Sequence, residues 1–175
     1  MFLVSNGTAS TPQVSAPTAT TPLPTRYLAP STPRPGSPVA FNVKEIEEVA
    51  KKQGVEIRQG DVVLFHTGWL SLIGKDDKRF GAGEPGLGVE GAKYLTGKGV
   101  VAIGADTWGL EAVPFETKNI FEVHQILLPM NGTYILENMD TAELAKDKAY
   151  EFLFVLGQPR FKGGVQSMIN PVAIR

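Results

Sequence analysis

The sequence contains no cysteine and only two histidines, His66 and His124, in 175 residues. The absence of cysteine excludes disulfide bonds and thiol chemistry, and it removes the thiolate ligands that many zinc sites use. With two imidazoles at most, the usual ligands of a zinc or manganese centre are nearly exhausted. A metal site in this protein would have to rely on carboxylates.

The sequence also lacks an excess of either charge and any long apolar run. It has 17 Lys plus Arg against 18 Asp plus Glu, and its net charge is −1. No broad basic field is therefore present to attract nucleic acid or anionic lipid. The strongest apolar runs, 62–65 and 99–104, are far shorter than the roughly 20 residues needed to cross a bilayer. We expect a soluble, cytoplasmic protein with no nucleic-acid or membrane partner.

Proline is distributed unevenly, which divides the sequence into two parts. Eight of the 13 prolines lie at or before Pro38, and no acidic residue precedes Glu45. The segment from Thr8 to Pro38 is rich in Thr, Ser, Ala and Pro, a composition that buries too little apolar surface to offset chain entropy. We therefore expect a disordered tail over residues 1–40 and one folded domain over residues 41–175.

The folded part alternates helix and strand patterns. Asn42 with Glu45 three residues later is typical of a capping box and predicts a helix that ends at Gly54. Continuous apolar runs predict buried strands, and glycine-rich charged sequence predicts a long surface loop at 70–88. The remaining predicted elements are strands at 61–67, 100–104, 133–137 and 151–156, and helices at 89–96, 121–128 and 141–147. This βαβ-like order predicts an α/β fold.

His124 and Glu137 lie on neighbouring predicted elements, a helix and the strand that follows it. A neutral imidazole and a carboxylate are a suitable pair of ligands for zinc or manganese. The same residues also fit a core histidine with a hydrogen bond and a strand-end carboxylate in a salt bridge, and spacing alone favours this second interpretation.

Asp106, Thr107 and Trp108 follow a predicted buried strand, at the end where open α/β sheets place functional groups. They fit two interpretations equally well. One is the wall of a pocket, and the other is a strand end at which Asp106 caps backbone amides. His66 lies within a predicted strand, where a structural role is favoured. The sequence has neither a phosphate-binding glycine motif nor a nucleophile elbow, so nucleotide binding and serine hydrolysis have little support.

Five segments of the sequence match a known pattern, and in chain order they are Gly60–Trp69, Pro85–Leu87, Ile103–Thr107, His124–Leu128 and Leu136–Asn138. Together they resemble the putative cyclase family, which includes isatin hydrolases and the bacterial kynurenine formamidases of tryptophan catabolism. The resemblance extends from about Asn42 to the C-terminus. It implies a swivelling β/β/α-type fold, a homo-oligomer, and a divalent metal, zinc or manganese, that activates water. The implied substrate is a small amide, lactam, lactone or ester, with arylformamidase activity as the best family-level assignment.

The resemblance also implies site residues. His124 and Glu137 fall on two of the family's metal ligands, and Ser167 falls near a family serine. The other ligands and the general base come from an earlier His-x-Gly-Thr-His-x-Asp-x-Pro-x-His motif, whereas here no histidine precedes His66. We therefore expect a cyclase fold that is incomplete at its N-terminus. Three alternatives stay open: a metal-dependent hydrolase, a catalytically inactive remnant or interaction subunit, and an incomplete gene model that lacks the histidine motif.

Overall fold

The computed structural model describes the backbone of Phe2–Val4 and residues 39–175. Its strands are β1 Phe2–Val4, β2 Ala40–Phe41, β3 Val62–Phe65, β4 Gly86–Leu87, β5 Ala102–Ala105, β6 Tyr134–Leu136, β7 Leu153–Val155 and β8 Val172–Ile174. Its α-helices are α1 Val43–Gln53, α2 Asp77–Ala82, α3 Val89–Gly97, α4 Glu122–Gln125 and α5 Ala142–Asp147, with a 3₁₀ turn at Trp69–Leu72 and a π-helical turn at Ile126–Met130.

The main sheet has the strand order β1-β3-β5-β6. Strands β3, β5 and β6 are parallel, and β1 pairs antiparallel with β3. Helix α3 connects β3 to β5 as a crossover, which confirms the predicted βαβ order. The three parallel strands therefore end at one common edge of the sheet.

Alternation of side chains along the strands divides the core between two faces of the sheet. On what we call the first face, Val63 and Ile103 pack with helix residues such as Ile46 and Leu127. On the second face, Val62, Leu64, Ala102 and Leu136 pack with the segment that carries α5 and β7. All residues of β3 and β5 are buried, as their continuous apolar sequences predict.

Helix α1 is confirmed with the caps that the sequence predicts. The backbone N–H of Asn42 donates to Oε2 of Glu45 over 3.0 Å, and Gly54 ends the helix in the left-handed conformation with φ of 71°. The Asn42 side chain reaches further, because its Oδ1 accepts the N–H of Gly91 in α3. This bond joins the two helices that cover the first face.

The prediction of a surface loop at 70–88 is wrong. The segment contains the 3₁₀ turn, α2 and β4, and its end from Glu84 to Gly88 is buried. Both tryptophan indoles of the protein, Trp69 and Trp108, donate to the carbonyl of Phe80 at 3.3 and 3.0 Å. These contacts are distant in the sequence, so the charged and glycine-rich composition did not reveal them.

The predicted tail lies mostly outside the described residues. The structure instead places Phe2–Val4 in the main sheet, where their backbone pairs with β3, because the polar groups of an edge strand accept a further strand. Ala40–Phe41 pairs with β4. Disorder over residues 5–38 stays a prediction. Within the described part of the chain, no helix combines the length and apolar character that a bilayer span requires.

Candidate metal centre

The carboxyl ends of the parallel strands bring polar side chains to one edge of the sheet. His66 follows β3, Asp106 follows β5, and Glu137 follows β6. Backbone pairing continues past the strand ends, since the N–H of Asn138 donates to the carbonyl of Thr107 over 2.8 Å. Open parallel sheets commonly place functional groups at this edge.

Glu137 lies on the first face of the sheet. Side chains alternate along extended backbone, so a residue lies on the same face as the residue two positions before it. Ile135 packs in the first-face cluster. Glu137 therefore lies on the face that α4 covers, and α4 carries His124.

His66 lies on the second face, away from this pair. Leu64, two residues earlier, packs in the second-face cluster. The His66 Nδ1 atom is 2.8 Å from Oγ1 of Thr141 and 3.5 Å from Oδ2 of Asp106. Burial lowers the pKa of His66, although the Asp106 carboxylate opposes that effect. Its contacts fix the start of α5 to the sheet, which agrees with the favoured structural role.

Asp106 caps backbone amides, which resolves the two alternatives for its role. Its Oδ1 accepts the N–H of Thr67 over 2.8 Å and its Oδ2 accepts the N–H of Gly68 over 2.7 Å. The carboxylate is buried and holds the turn after β3. Ser167 is exposed, and its hydroxyl contacts only the neighbouring Met168 carbonyl among the described residues.

His124 lies between two carboxylates. Its Nδ1 is 2.7 Å from Oε1 of Glu111, and its Nε2 is 3.6 Å from Oε1 of Glu137. Glu111 is 3% exposed, and its second oxygen accepts the N–H of Val123 over 3.1 Å. An Nδ1–H donated to Glu111 leaves the Nε2 lone pair directed toward Glu137. A carboxylate behind a histidine is the usual arrangement that orients an imidazole for metal binding.

The spacing of this pair fits two ligands of one metal ion. Zinc bonds to imidazole nitrogen and carboxylate oxygen are about 2.0–2.2 Å long, so two such donors on a tetrahedral ion are about 3.4 Å apart. The observed separation of Nε2 and Oε1 is 3.6 Å. The separation of the two donor atoms is therefore compatible with a shared divalent ion.

The part of the chain that the structure describes offers no third ligand beside this pair. Among residues 39–175, no three His, Asp or Glu side chains form a group that could hold a metal. Residues 1–44 contain no His, Cys, Asp or Glu at all. Further coordination positions would have to be filled by water or by donors from outside this sequence. The described residues therefore bring together two candidate ligands, His124 and Glu137.

Without metal, His124 holds a proton strongly. Burial by itself lowers the pKa of His124, but the hydrogen bonds and negative charges of Glu111 and Glu137 outweigh it and raise the pKa to about 9. The imidazole is then cationic at neutral pH and forms ion pairs with both carboxylates. A divalent ion would have to displace this proton, so metal binding should strengthen as the pH rises.

The buried carboxyl group of Glu84 lies close enough to Glu111 and Glu137 for their charges to affect its pKa. Its Oε2 accepts the N–H of Trp108 over 2.6 Å, and its Oε1 accepts the N–H of Gly109 over 2.7 Å. Burial raises the pKa of Glu84 to about 8, the two amide donors oppose this, and the charges of Glu137 and Glu111 add to it. Glu84 is therefore largely protonated at neutral pH.

The pH dependence of stability tests this state of Glu84. A folded pKa above the usual value of 4.5 means that protonation stabilises the folded protein below pH 4.5, and that this contribution is lost as the pH rises through 8. Glu84→Gln has no such titration but forfeits one amide hydrogen bond. We expect the variant to be less stable at pH 5 and its deficit to shrink by a few kcal/mol by pH 9. Urea unfolding at both pH values measures this, and a constant deficit would contradict it.

Strained backbone accompanies the site. Leu110, Phe121 and Asn138 have positive φ of 64°, 56° and 53°. Leu110 precedes Glu111, Phe121 precedes the first residue of α4, and Asn138 follows Glu137. For Leu110 and Phe121 this left-handed conformation costs about 1–3 kcal/mol each, and such conformations occur preferentially at functional sites.

Glu111 and Glu84 were missed in the sequence because their partners are distant. Glu111 binds a histidine 13 residues later, and Glu84 binds amides 24 and 25 residues later. The available signal was a single acid in an apolar setting, Leu-Glu-Ala-Val-Pro for Glu111 and Gly-Glu-Pro-Gly for Glu84. An isolated acid among apolar residues is costly to bury unless it is paired.

This fold, three parallel strands with polar side chains at their carboxyl ends, resembles that of known proteins. The model of the putative cyclase family matches residues 24–112, just over half of the sequence. The chain therefore belongs to this family, and the α/β cyclase fold expected from the sequence is confirmed. The matched range ends before His124. A search of curated protein sequences finds no match.

Two solved structures share the fold. A protein described as a novel cyclase is 27% identical with a TM-score of 0.69, over 78% of this chain and 47% of its own. An isatin hydrolase bound to the product analogue thioisatinate is 23% identical with a TM-score of 0.63, over 78% of this chain and 53% of its own. The second likeness shows the fold alone. The chain spans about half the length of both structures.

Proposed function

We propose that this protein is a metal-dependent hydrolase of the cyclase family that acts on a small amide, lactam, lactone or ester. The observation that carries the proposal is the arrangement of His124, with Glu111 behind Nδ1 and Glu137 at 3.6 Å from Nε2. A bound zinc or manganese ion would polarise a substrate carbonyl and lower the pKa of water. The family resemblance implies a small amide or lactam, and an N-formyl aromatic amine is the best family-level choice of substrate.

The residues of the chain prepare this site in defined ways. Glu111 is the acceptor that fixes the imidazole ring, since its buried carboxylate holds both Nδ1 of His124 and the N–H of Val123. Glu137 contributes the neighbouring oxygen donor. The ring of Phe121 packs edge-on against the imidazole at 5.0 Å and shields it on one side. Together these contacts restrict His124 to one orientation before any ligand binds.

Hydrolysis with and without His124 tests the proposal. The purified protein with saturating Mn²⁺ is assayed on an N-formylaniline, an isatin-type lactam and an aryl lactone. We expect metal-dependent hydrolysis of at least one of these, loss of at least 100-fold in His124→Ala, and retention in His66→Asn. The matched histidine on the opposite face controls for general damage. Hydrolysis that persists in His124→Ala would contradict the proposal.

A second candidate is a catalytically inactive member that serves as an interaction subunit. It is favoured by the lack of any group of three metal-ligating side chains in residues 39–175. The two candidates differ in the assay above, because the inactive subunit would hydrolyse none of the three substrates at saturating Mn²⁺.

Association with a second copy of the chain is part of the proposal. In the antiparallel pair β7–β8, Leu153 lies opposite Ile174 and Val155 opposite Val172. These four aliphatic side chains are 45–54% exposed and form one apolar face. An exposed apolar face of this kind is typical of a contact surface, which supports the expected homo-oligomer.

A further inference from the structure

The segment from residue 114 to residue 120 has few hydrogen bonds to the rest of the protein. Among the described residues, no backbone group of this segment bonds to another backbone group. At its start, Val113 exchanges two backbone hydrogen bonds with Glu84, and at its end, the carbonyl of Phe121 accepts an N–H from α4. A stretch without backbone hydrogen bonds of its own can open at a low cost in free energy while the core stays folded.

Within the described part of the chain, one side chain, that of Glu116, joins the middle of this segment to the elements before it. Its Oε1 accepts a hydrogen bond from Nδ2 of Asn42 over 2.8 Å, and its Oε2 accepts the N–H of Val89 over 2.7 Å. The other side-chain hydrogen bonds of the segment are made to Glu122 in α4 or within the segment. Glu116 is exposed, so water can replace both of its bonds at a small net cost.

A small cavity lies between this segment and the site. Its walls include residues of the segment on one side and Glu111 and Val123 on the other, and its volume is about 10 Å³. That is room for about one water molecule. Aromatic rings extend the cover, because Phe115 packs edge-on against Phe121, which packs edge-on against His124. The segment therefore covers Glu111 and leaves no space beside it for a molecule larger than water.

We propose that residues 114–120 form a strap that opens and closes over the hydrogen bond between Glu111 and His124, and that Glu116 is the latch that holds the strap closed. In the closed state the strap keeps water from this bond, which is stronger in a dry environment than in a wet one. In the open state, solvent and small solutes reach Glu111. This device consists of contacts within the chain itself, and it requires neither a bound metal nor the proposed function.

A single thiol reports the opening, because the sequence itself contains no cysteine. Ala112→Cys places the thiol in the wall of the cavity, at a position that is 3% exposed. Ala105→Cys places it in β5, at a position that is 1% exposed, where labelling requires the sheet to unfold. Reaction with iodoacetamide is followed for both at low urea concentrations. We expect the first thiol to react at least about tenfold faster, at a rate that hardly changes with urea, because opening a strap exposes little surface.

Loss of the latch should accelerate this reaction. Glu116→Ala removes both hydrogen bonds of the latch, so the thiol of Ala112→Cys should react about tenfold faster in this background. The N–H of Val123, which bonds to Glu111 beneath the strap, allows the same measurement without the cysteine. Its hydrogen exchange at low urea should accelerate by a similar factor.

Gly88→Ala releases the same latch by a different route. A Cβ atom at Gly88 would lie 2.6 Å from Oε2 of Glu116, and the end of this side chain can move away where backbone could not. This variant should therefore accelerate the labelling of Ala112→Cys by a similar factor. Glu90→Ala is the matched control, since it removes an exposed carboxylate from the same end of α3 without touching the latch. It should leave the labelling rate unchanged.

Any of three results would refute the strap. The first is equal rates with equal urea dependence for Ala112→Cys and Ala105→Cys, which would mean that the cavity opens only when the protein unfolds. The second is an unchanged labelling rate in both Glu116→Ala and Gly88→Ala. The third is hydrogen exchange of Val123 in Glu116→Ala that is as slow as in the wild type. None of these bears on the proposed function, whose test is hydrolysis that depends on His124.

Discussion

Glu111→Ala is expected to lower the free energy of unfolding by about 3–5 kcal/mol, the usual cost of removing one partner of a buried ion pair. The substitution leaves the N–H of Val123 and Nδ1 of His124 without their acceptor. Each buried donor without a partner costs about 1–3 kcal/mol. Since Glu111 also orients the imidazole, Mn²⁺ affinity should fall by about 10–100-fold. Urea unfolding and a Mn²⁺ titration measure the two effects.

Two variants serve as controls for Glu111. Glu111→Gln keeps the size of the side chain but offers one acceptor oxygen instead of two, so we expect an intermediate loss of stability. Glu143→Ala removes an exposed carboxylate that pairs with Lys146 on the surface of α5, and it should have little effect. If Glu111→Ala were no more harmful than Glu143→Ala, Glu111 would not hold α4 in place.

Gly86→Ala is expected to destabilise the protein by about 3 kcal/mol or more, because no room exists for a Cβ atom. A Cβ at Gly86 would lie within 3.0 Å of backbone atoms of Leu110, Glu111 and Ala112. Backbone cannot move aside as a side-chain end can, so the segment that carries Glu111 would have to shift. We expect the variant to lose cooperative unfolding and His124-dependent Mn²⁺ binding together.

Gly81→Ala is the matched control for Gly86→Ala. A Cβ at Gly81 meets nothing within 4 Å, and the residue lies in α2 without a positive φ. Alanine favours helices over glycine by about 0.5–1 kcal/mol, so this variant should be as stable as wild type or slightly more so. Equal stability of both alanine variants would show that the contact between β4 and residues 110–112 is looser than described.

The sequence predicts the main helices and strands well because the patterns that specify them lie within short segments. The helix after Asn42 is specified by a capping box within four residues, and the strands at 62–65 and 102–105 are specified by continuous apolar runs. The βαβ order follows from the helix pattern at 89–96 between these two strands. The family resemblance adds the candidate ligands, His124 and Glu137, whose assignment to a metal stays a prediction.

The features that the sequence does not predict depend on contacts between residues that are distant in the chain. Glu84 and Glu111 are isolated acids among apolar residues in the sequence, and their carboxyl groups satisfy backbone amides and a histidine that the fold brings to them. The error at 70–88 has the same origin, since the carbonyl of Phe80 finds its two indole donors only in the folded protein. Local composition does not show which distant groups become hydrogen-bond partners in the folded protein.

The number and strength of Mn²⁺ sites in the wild-type protein test the central claim that His124 and Glu137 are half of a metal centre. Structural zinc sites with four ligands bind with about 10–16 kcal/mol. Half of that corresponds to a zinc dissociation constant between about 1 µM and a few hundred micromolar, and Mn²⁺ binds such ligands more weakly than zinc. We predict one Mn²⁺ site at or above the weak end of this range, which tightens as the pH rises and disappears in His124→Ala. Absence of His124-dependent binding would reduce the pair to a salt bridge, and binding far below 1 µM would show that the chain supplies more ligands than this account allows.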